Sequence, residues 1–260
     1  MSLLAEIRAQ KREEITRLRK QTLPVAPERR PISLRREPGK PLGLMAEMKR
    51  RSPSAGPLAL RLDVSARARA YEEAGACMLS VLTDQRWFDG DFWDLTLARE
   101  GSKLPILCKE FVLDECQLDM ARSHGADAVL LIVRFIDDAA RLGQLVQAAL
   151  ARDLEPVVEI ASLDEARVAV DSGAGHVGVN ARDLDDLSLD PERARRALEG
   201  LPGSVVRLHF SSLKTPDDVG RVAEGPADAA LVGEALMRVD DPRELLSAMV
   251  RECGRSPRSG

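Results

Sequence analysis

Two glutamates and two lysines stand at the ends of short apolar runs. Glu47 and Lys49 close GLMAEMK (43–49), Lys109 sits in PILCKEF (105–111), and Glu159 sits in EPVVEI (155–160). Asn180 closes HVGVN (176–180), and Ser211 follows SVVRLHF (204–210). Side chains alternate along a strand, so Glu47 and Lys49 face one way, as do Lys109 and Phe111. A lysine aimed into an apolar interior is costly unless it is paired or bound to something. Brought together, Glu47, Lys49, Lys109, Glu159 and Asn180 form a compact acid–base set, in which burial beside opposite charge moves pKa values toward the range proton transfer needs. The same residues could also serve as a pair of internal salt bridges. A second group suits anions. Ser211-Ser212-Leu213 and Gly233-Glu234-Ala235 follow the last two apolar runs. Backbone N–H groups at such turns bind phosphate, and Gly233 lets the chain come close to a ligand. Ser52-Pro53-Ser54 adds hydroxyls beside Lys49, Arg50 and Arg51. The expected ligand is a small, anionic, phosphorylated molecule held by Ser211, Ser212, Gly233 and Glu234.

The remaining apolar runs are CMLSVLT (77–83), AVLLIV (128–133) and AALVG (229–233), which makes eight in all. Helical patterns such as VSARARAYEEAG and DAARLGQLVQAALARD separate them, and PRELLSAMVREC follows the last. Several of these open on Asp or Ser and end at Gly, as helices do. Eight alternations predict a closed parallel (β/α)8 TIM barrel over residues 43–253, whose site lies at the C-terminal ends of the strands. A doubly wound open sheet is the other reading, but no G-x-G-x-x-G follows the first strand. Before the barrel, Leu3, Leu4, Ile7, Ile15 and Leu18 recur at helical spacing. Pro24, Pro27, Pro31, Pro38 and Pro41 then enforce an extended strap. Residues 1–42 are therefore a helix plus strap, and residues 254–260 are expected to be a disordered tail.

The chain has 260 residues, 44% hydrophobic and 31% charged, an ordinary globular composition. No apolar run approaches the roughly 18–20 residues of a membrane span. The N-terminus lacks the features of a secretory signal, and four scattered cysteines read as reduced thiols, so a cytoplasmic location is expected. Residues 1–60 carry 14 Lys and Arg against 6 Asp and Glu, while residues 61–260 carry 24 against 36. This asymmetry reads either as solvated charge or as a basic lip that attracts an anion. It lacks interleaved aromatics, so no nucleic-acid partner is expected. His124 and His176 fall at helix–strand connections on the rim opposite the site, and His209 is expected to face outward. No metal spacing is present. Trp87, Phe88 and Trp93 are three of the eight aromatic residues; they read as core packing or as an apolar wall.

Taken together, MAEMKRRSPS (45–54), SVLTDQRWFDG (80–90), LPILCKEF (104–111), GADAVLLIV (125–133), VGVNARDL (177–184) and LVGEALM (231–237) resemble the indole-3-glycerol phosphate synthase family. The resemblance runs from Leu3 through the barrel. It implies an extra N-terminal helix and strap over the C-terminal face, and a carboxy-lyase needing neither cofactor nor metal. The implied substrate is 1-(2-carboxyphenylamino)-1-deoxyribulose 5-phosphate, closed to an indole with loss of CO2 and water. By resemblance Lys109 would polarise the carbonyl, Lys49 would hold the carboxylate, and Glu159 would take a proton. Glu47 and Asn180 would orient them. Phe88, Phe111, Leu130 and Leu184 would form the slot for the ring, Ser52 would join the substrate contacts, and Arg182 would fix a loop. The family's Glu-Ser-Gly-Ile at the seventh strand is here Phe210-Ser211-Ser212-Leu213. Phe210 removes a carboxylate and brings a ring toward the substrate, and Ser212 puts a side chain where a glycine approaches the phosphate. This departure leaves two alternatives: a paralogue acting on a substituted anthranilate derivative, and a non-catalytic phosphate-binding relative. A monomer or weak homodimer is expected, with no membrane partner.

Overall fold

The computed structural model describes residues 3–136 and 138–254. Eight parallel strands close into a barrel, each paired with its neighbours in sequence order, the last with the first. In chain order they are Gly43–Met48, Met78–Leu82, Ile106–Lys109, Ala128–Ile132, Glu155–Ile160, His176–Asn180, Val206–Phe210 and Ala229–Val232. Each falls within one of the eight apolar runs. The runs are strands because both faces are buried. Met45, Met78, Leu107, Leu130, Val157 and Leu208 fill the barrel interior. Leu44, Leu79, Ile106, Val129 and Val158 pack outward on the helices. Helices start where their caps require: the side chains of Asp63, Asp138, Asp190 and Thr215 each accept from a backbone N–H in the first turn. A two-residue hairpin, Arg51–Ser52 with Gly56–Pro57, follows the first strand and was not legible in the apolar pattern. No described helix is long and apolar enough to cross a membrane.

The N-terminal helix, Leu3–Leu18, covers the C-terminal face of the barrel, with Leu4 and Ile7 buried in the interior cluster. The strap does not lie beside it, contrary to expectation. Arg19 still pairs with Asp114, beyond the C-terminal end of the third strand. From Arg29 onward every partner is at the opposite end. Arg29 meets Glu155, the Arg30 N–H donates to Asp127, and the Arg36 N–H donates to Asp228. Each of these carboxylates is the first residue of a strand or immediately precedes one. The Arg35 guanidinium donates to the carbonyls of Gly203 and Ser204, and Leu34 plugs the bottom of the barrel. The reason is connectivity. The first strand must begin at the bottom, so a chain that leaves a helix on top has to descend the wall, and ten extended residues reach about 33 Å. Four of the 14 basic residues of 1–60 are used here: Arg29, Arg30, Arg35 and Arg36 tie the strap down rather than form a lip. Except for Gly254, the tail expected to be disordered lies outside the described residues.

Candidate active site

Near the C-terminal end the interior side chains change character. Below are Met45, Leu107, Val157 and Leu208; one pleat higher are Glu47, Lys109, Glu159 and Phe210. The alternation of each strand makes this change. Glu47 binds both ammonium groups, Oε1 at 2.5 Å from Lys49 Nζ and Oε2 at 3.0 Å from Lys109 Nζ. The two lysines therefore share one carboxylate instead of forming two independent salt bridges. Burial pushes the Glu47 carboxyl up, but Lys109 and Lys49 outweigh it and hold the pKa down at about 2. Burial also works against the charge on Lys109, yet Glu47 and Glu159 lift its pKa above the ordinary lysine value. Gly233 is required here, because a Cβ would collide with the Glu47 carboxylate. Its smallness makes room for a protein side chain, a reason the sequence did not reveal.

Glu159 is left with weaker partners. Its Oε1 accepts from Asn180 Nδ2 at 3.1 Å, and its Oε2 is buried with no hydrogen-bond partner. Burial raises its pKa; Lys109 and Asn180 only partly offset this. The Asn180 amide is fixed from the other side, since its Oδ1 accepts from Ser211 Oγ at 2.7 Å and from the Arg182 N–H at 3.0 Å. The site thus holds a carboxylate that gains by taking a proton, opposite an ammonium that keeps its own. Such a pair can move protons to and from a bound carbonyl compound.

One cavity joins these groups. Glu47, Lys49, Lys109, Glu159 and Asn180 line it, with Ser52, Phe88, Phe111, Leu130, Arg182 and Leu184. Ser211, Ser212, Gly233 and Glu234 close one end. Phe210 is the exception. It is fully buried beneath the floor, does not line the cavity, and places its ring centre 5.2 Å from Lys109 Nζ. Gly178 opens the space for that ring, since a Cβ there would overlap it. Phe210 was expected among the substrate contacts; its ring instead packs under Lys109 and into the space left by Gly178, while its register partners Asn180 and Leu231 line the cavity. Arg182 Nη1 donates to the Leu187 carbonyl at 3.0 Å and holds the loop after the sixth strand.

Several other sequence readings separate here. Phe88 lines the cavity, and its ring centre lies 6.2 Å from that of Phe111. Trp93 is exposed and meets His124 edge-on, away from the cavity. Arg50 is drawn from the anion group by Asp94, its Nη2 donating at 2.8 Å. His176 opens the sixth strand beside Glu155 at 2.9 Å, half-buried rather than free on the surface.

A buried cluster near the mouth was missed. Lys11, 2% exposed, lies within 2.6 Å of Asp84, 2.7 Å of Glu110 and 2.8 Å of Glu14. Trp87 Nε1 donates to Gln10 Oε1 at 2.8 Å beside it. Burial works against the Lys11 charge, but Glu110 and Asp84 lift its pKa above the usual range. The signal was in the helix periodicity: Leu4, Ile7, Ile15 and Leu18 form a stripe in which position 11 belongs to the buried face. Removing one partner of a buried ion pair costs about 3–5 kcal/mol. Lys11→Met is therefore expected to lower Tm by roughly 6–15 °C and to speed hydrogen exchange across residues 4–18. Unchanged exchange in that helix would show that Lys11 does not anchor it.

Comparison with known proteins adds the last observation. The family model described as indole-3-glycerol phosphate synthase matches residues 3–249. An indole-3-glycerol phosphate synthase of Mycobacterium leprae (strain Br4923) is 41% identical over 215 residues, 83% of this chain and 78% of that protein. One from Exiguobacterium sp. (strain ATCC BAA-1283 / AT1b) is 38% identical over 249 residues, 96% of each. Among solved structures, a 3-hexulose-6-phosphate synthase superposes with a TM-score of 0.63 at 17% identity, over 81% of this chain and 99% of that one. That likeness concerns the barrel alone.

Proposed function

Because the chain belongs to the indole-3-glycerol phosphate synthase family, whose members are decarboxylating lyases of tryptophan biosynthesis, we propose that this cavity closes the indole ring of 1-(2-carboxyphenylamino)-1-deoxyribulose 5-phosphate. The ring carbon that bears the carboxylate attacks the ketone carbon. Lys109 donates to the ketone oxygen as it becomes a hydroxyl. Loss of CO2 restores the aromatic ring. The hydroxyl then leaves as water with help from Lys49, and Glu159 accepts the proton released as the indole forms. Donors fixed where charge develops supply much of the rate. Glu47 holds both lysine side chains in place, and Asn180 aims Glu159. Phe88, Phe111, Leu130 and Leu184 give the ring an apolar slot, and Ser52 adds a hydroxyl contact. The backbones of Ser211, Ser212, Gly233 and Glu234 receive the phosphate.

The observation that carries this reading is that Lys109 and Glu159 face one cavity, Lys109 Nζ held by Glu47 and Glu159 Oε2 buried without a hydrogen-bond partner. Incubation with the substrate, followed by indole fluorescence, should show turnover; its absence would refute the reading. A preference for substituted anthranilates finds no support in Phe210, whose ring is not part of the slot wall. We further propose a cytoplasmic monomer or weak homodimer. The four free thiols suit a reducing compartment, and the N-terminal helix covers its own barrel.

Phe210→Glu tests the missing carboxylate. A carboxylate beside Lys109 should raise kcat severalfold, while loss of the buried ring lowers Tm. A lower kcat would mean that the ring itself is what Lys109 needs.

A further inference from the structure

The turn after the seventh strand is held in a conformation its residues disfavour. Ser211 has φ of 70° and Ser212 has φ of 67°, both in the left-handed region that side chains other than glycine's rarely adopt. Neither hydroxyl is free to wander. Ser211 Oγ donates inward to Asn180 Oδ1 at 2.7 Å, while Ser212 Oγ shares a hydrogen bond with His209 Nε2 at 3.2 Å. His209 alternates with the interior residues Leu208 and Phe210, so it points out of the barrel, into the helix layer. There it is 3% exposed and lines a cavity with Arg195, Asp218 and Arg221. Ser212 lines both that outer cavity and the site. The two hydroxyls thus pull to opposite sides of the barrel wall, and the backbone between them faces the site. Burial holds the His209 pKa at about 4, so the ring is neutral and can share a hydrogen bond without bringing charge into the wall.

We infer that His209 is a positioning residue for the phosphate end of the site: its bond to the Ser212 hydroxyl holds the serine in the left-handed conformation and turns its side chain away from the ligand. The backbone N–H groups of the turn then meet the phosphate much as those of a glycine would. This rests on the phosphate reading above. It explains how a serine can occupy this place without blocking it.

The test is a double-mutant cycle read on KM and on the dissociation constant of inorganic phosphate, measured by calorimetry. His209→Leu keeps the bulk but removes the hydrogen bond. It should raise both constants about tenfold, with the loss falling on KM rather than on kcat. Ser212→Gly added to His209→Leu should restore them, because glycine needs no clamp. A purely structural role for His209 would not be rescued at position 212. Ser212→Ala, which keeps the histidine, should show the same weakening and serves if His209→Leu does not fold. Unchanged phosphate affinity in both single variants, or a double variant no better than His209→Leu, overturns the inference. If the unaltered protein binds no phosphate and shows no turnover, the phosphate reading fails instead.

Discussion

Lys109→Ala is expected to lower kcat by about 10³–10⁴-fold while leaving the barrel folded. The size follows from what the ammonium is asked to do. It donates to Glu47 Oε2 at 3.0 Å, and its charge is upheld by both Glu47 and Glu159. Alanine removes the proton source for the ketone oxygen and also the positive charge that faces Glu159. The Glu159 pKa, already raised by burial, then rises further, which disfavours the carboxylate form that should accept a proton late in the reaction. Both effects act on the chemical step, so KM should change far less than kcat. The fold survives because Glu47 keeps Lys49 at 2.5 Å, and an alanine between Cys108 and Glu110 leaves the third strand's pairing intact. Circular dichroism and Tm measured beside the kinetics make the result decisive. A folded variant within tenfold of the parent rate would remove Lys109 from the chemistry.

What the sequence disclosed follows from how barrels bury their strands. A strand covered on both faces is an unbroken apolar run, so all eight could be read, and the polar residues at or just after the ends of five of them mark the rim. Glu47, Lys109 and Glu159 were visible for that reason. Features set by three-dimensional crowding were not. Nothing in a lone Gly233 says that its neighbour is the Glu47 side chain, and nothing local says that Gly178 yields to Phe210. The resemblance set the strap over the C-terminal face, and proline density, which gives conformation but no direction, could not correct it; Asp127 and Asp228, waiting at strand starts, decide where it goes. Lys11 was read as one more charge on a charged helix, although its position in the apolar stripe pointed inward. Ser211 and Ser212 carry no sign of positive φ, since serine is not a residue from which that conformation is expected.

Glu159→Gln should separate function from stability, lowering kcat by about 10²–10³-fold while stabilising the protein. Glu159 is 3% exposed, and one of its oxygens has no hydrogen-bond partner. A buried polar group left unpaired costs about 1–3 kcal/mol, more when it is charged. Glutamine keeps the shape, and its carbonyl can still accept from Asn180, but it carries no charge to desolvate. The pH dependence fixes the sign. The folded-state pKa of Glu159 lies above its ordinary value of 4.5, so the folded chain holds this proton more tightly than the unfolded chain does. Below the unfolded pKa both states are protonated and the carboxylate costs nothing. As pH rises from there toward the folded pKa, the unfolded state ionises first and the native state loses stability; beyond it the loss is constant. The Tm advantage of Glu159→Gln should therefore be small near pH 5 and larger by a few degrees at pH 8. Activity follows the same group: kcat/KM of the parent should fall on the acid side through a pKa above the usual glutamate range. A Glu159→Gln protein that is less stable at pH 8 than its parent would mean that the carboxylate is better satisfied than its contacts indicate. Retained activity would assign the proton transfer to another group.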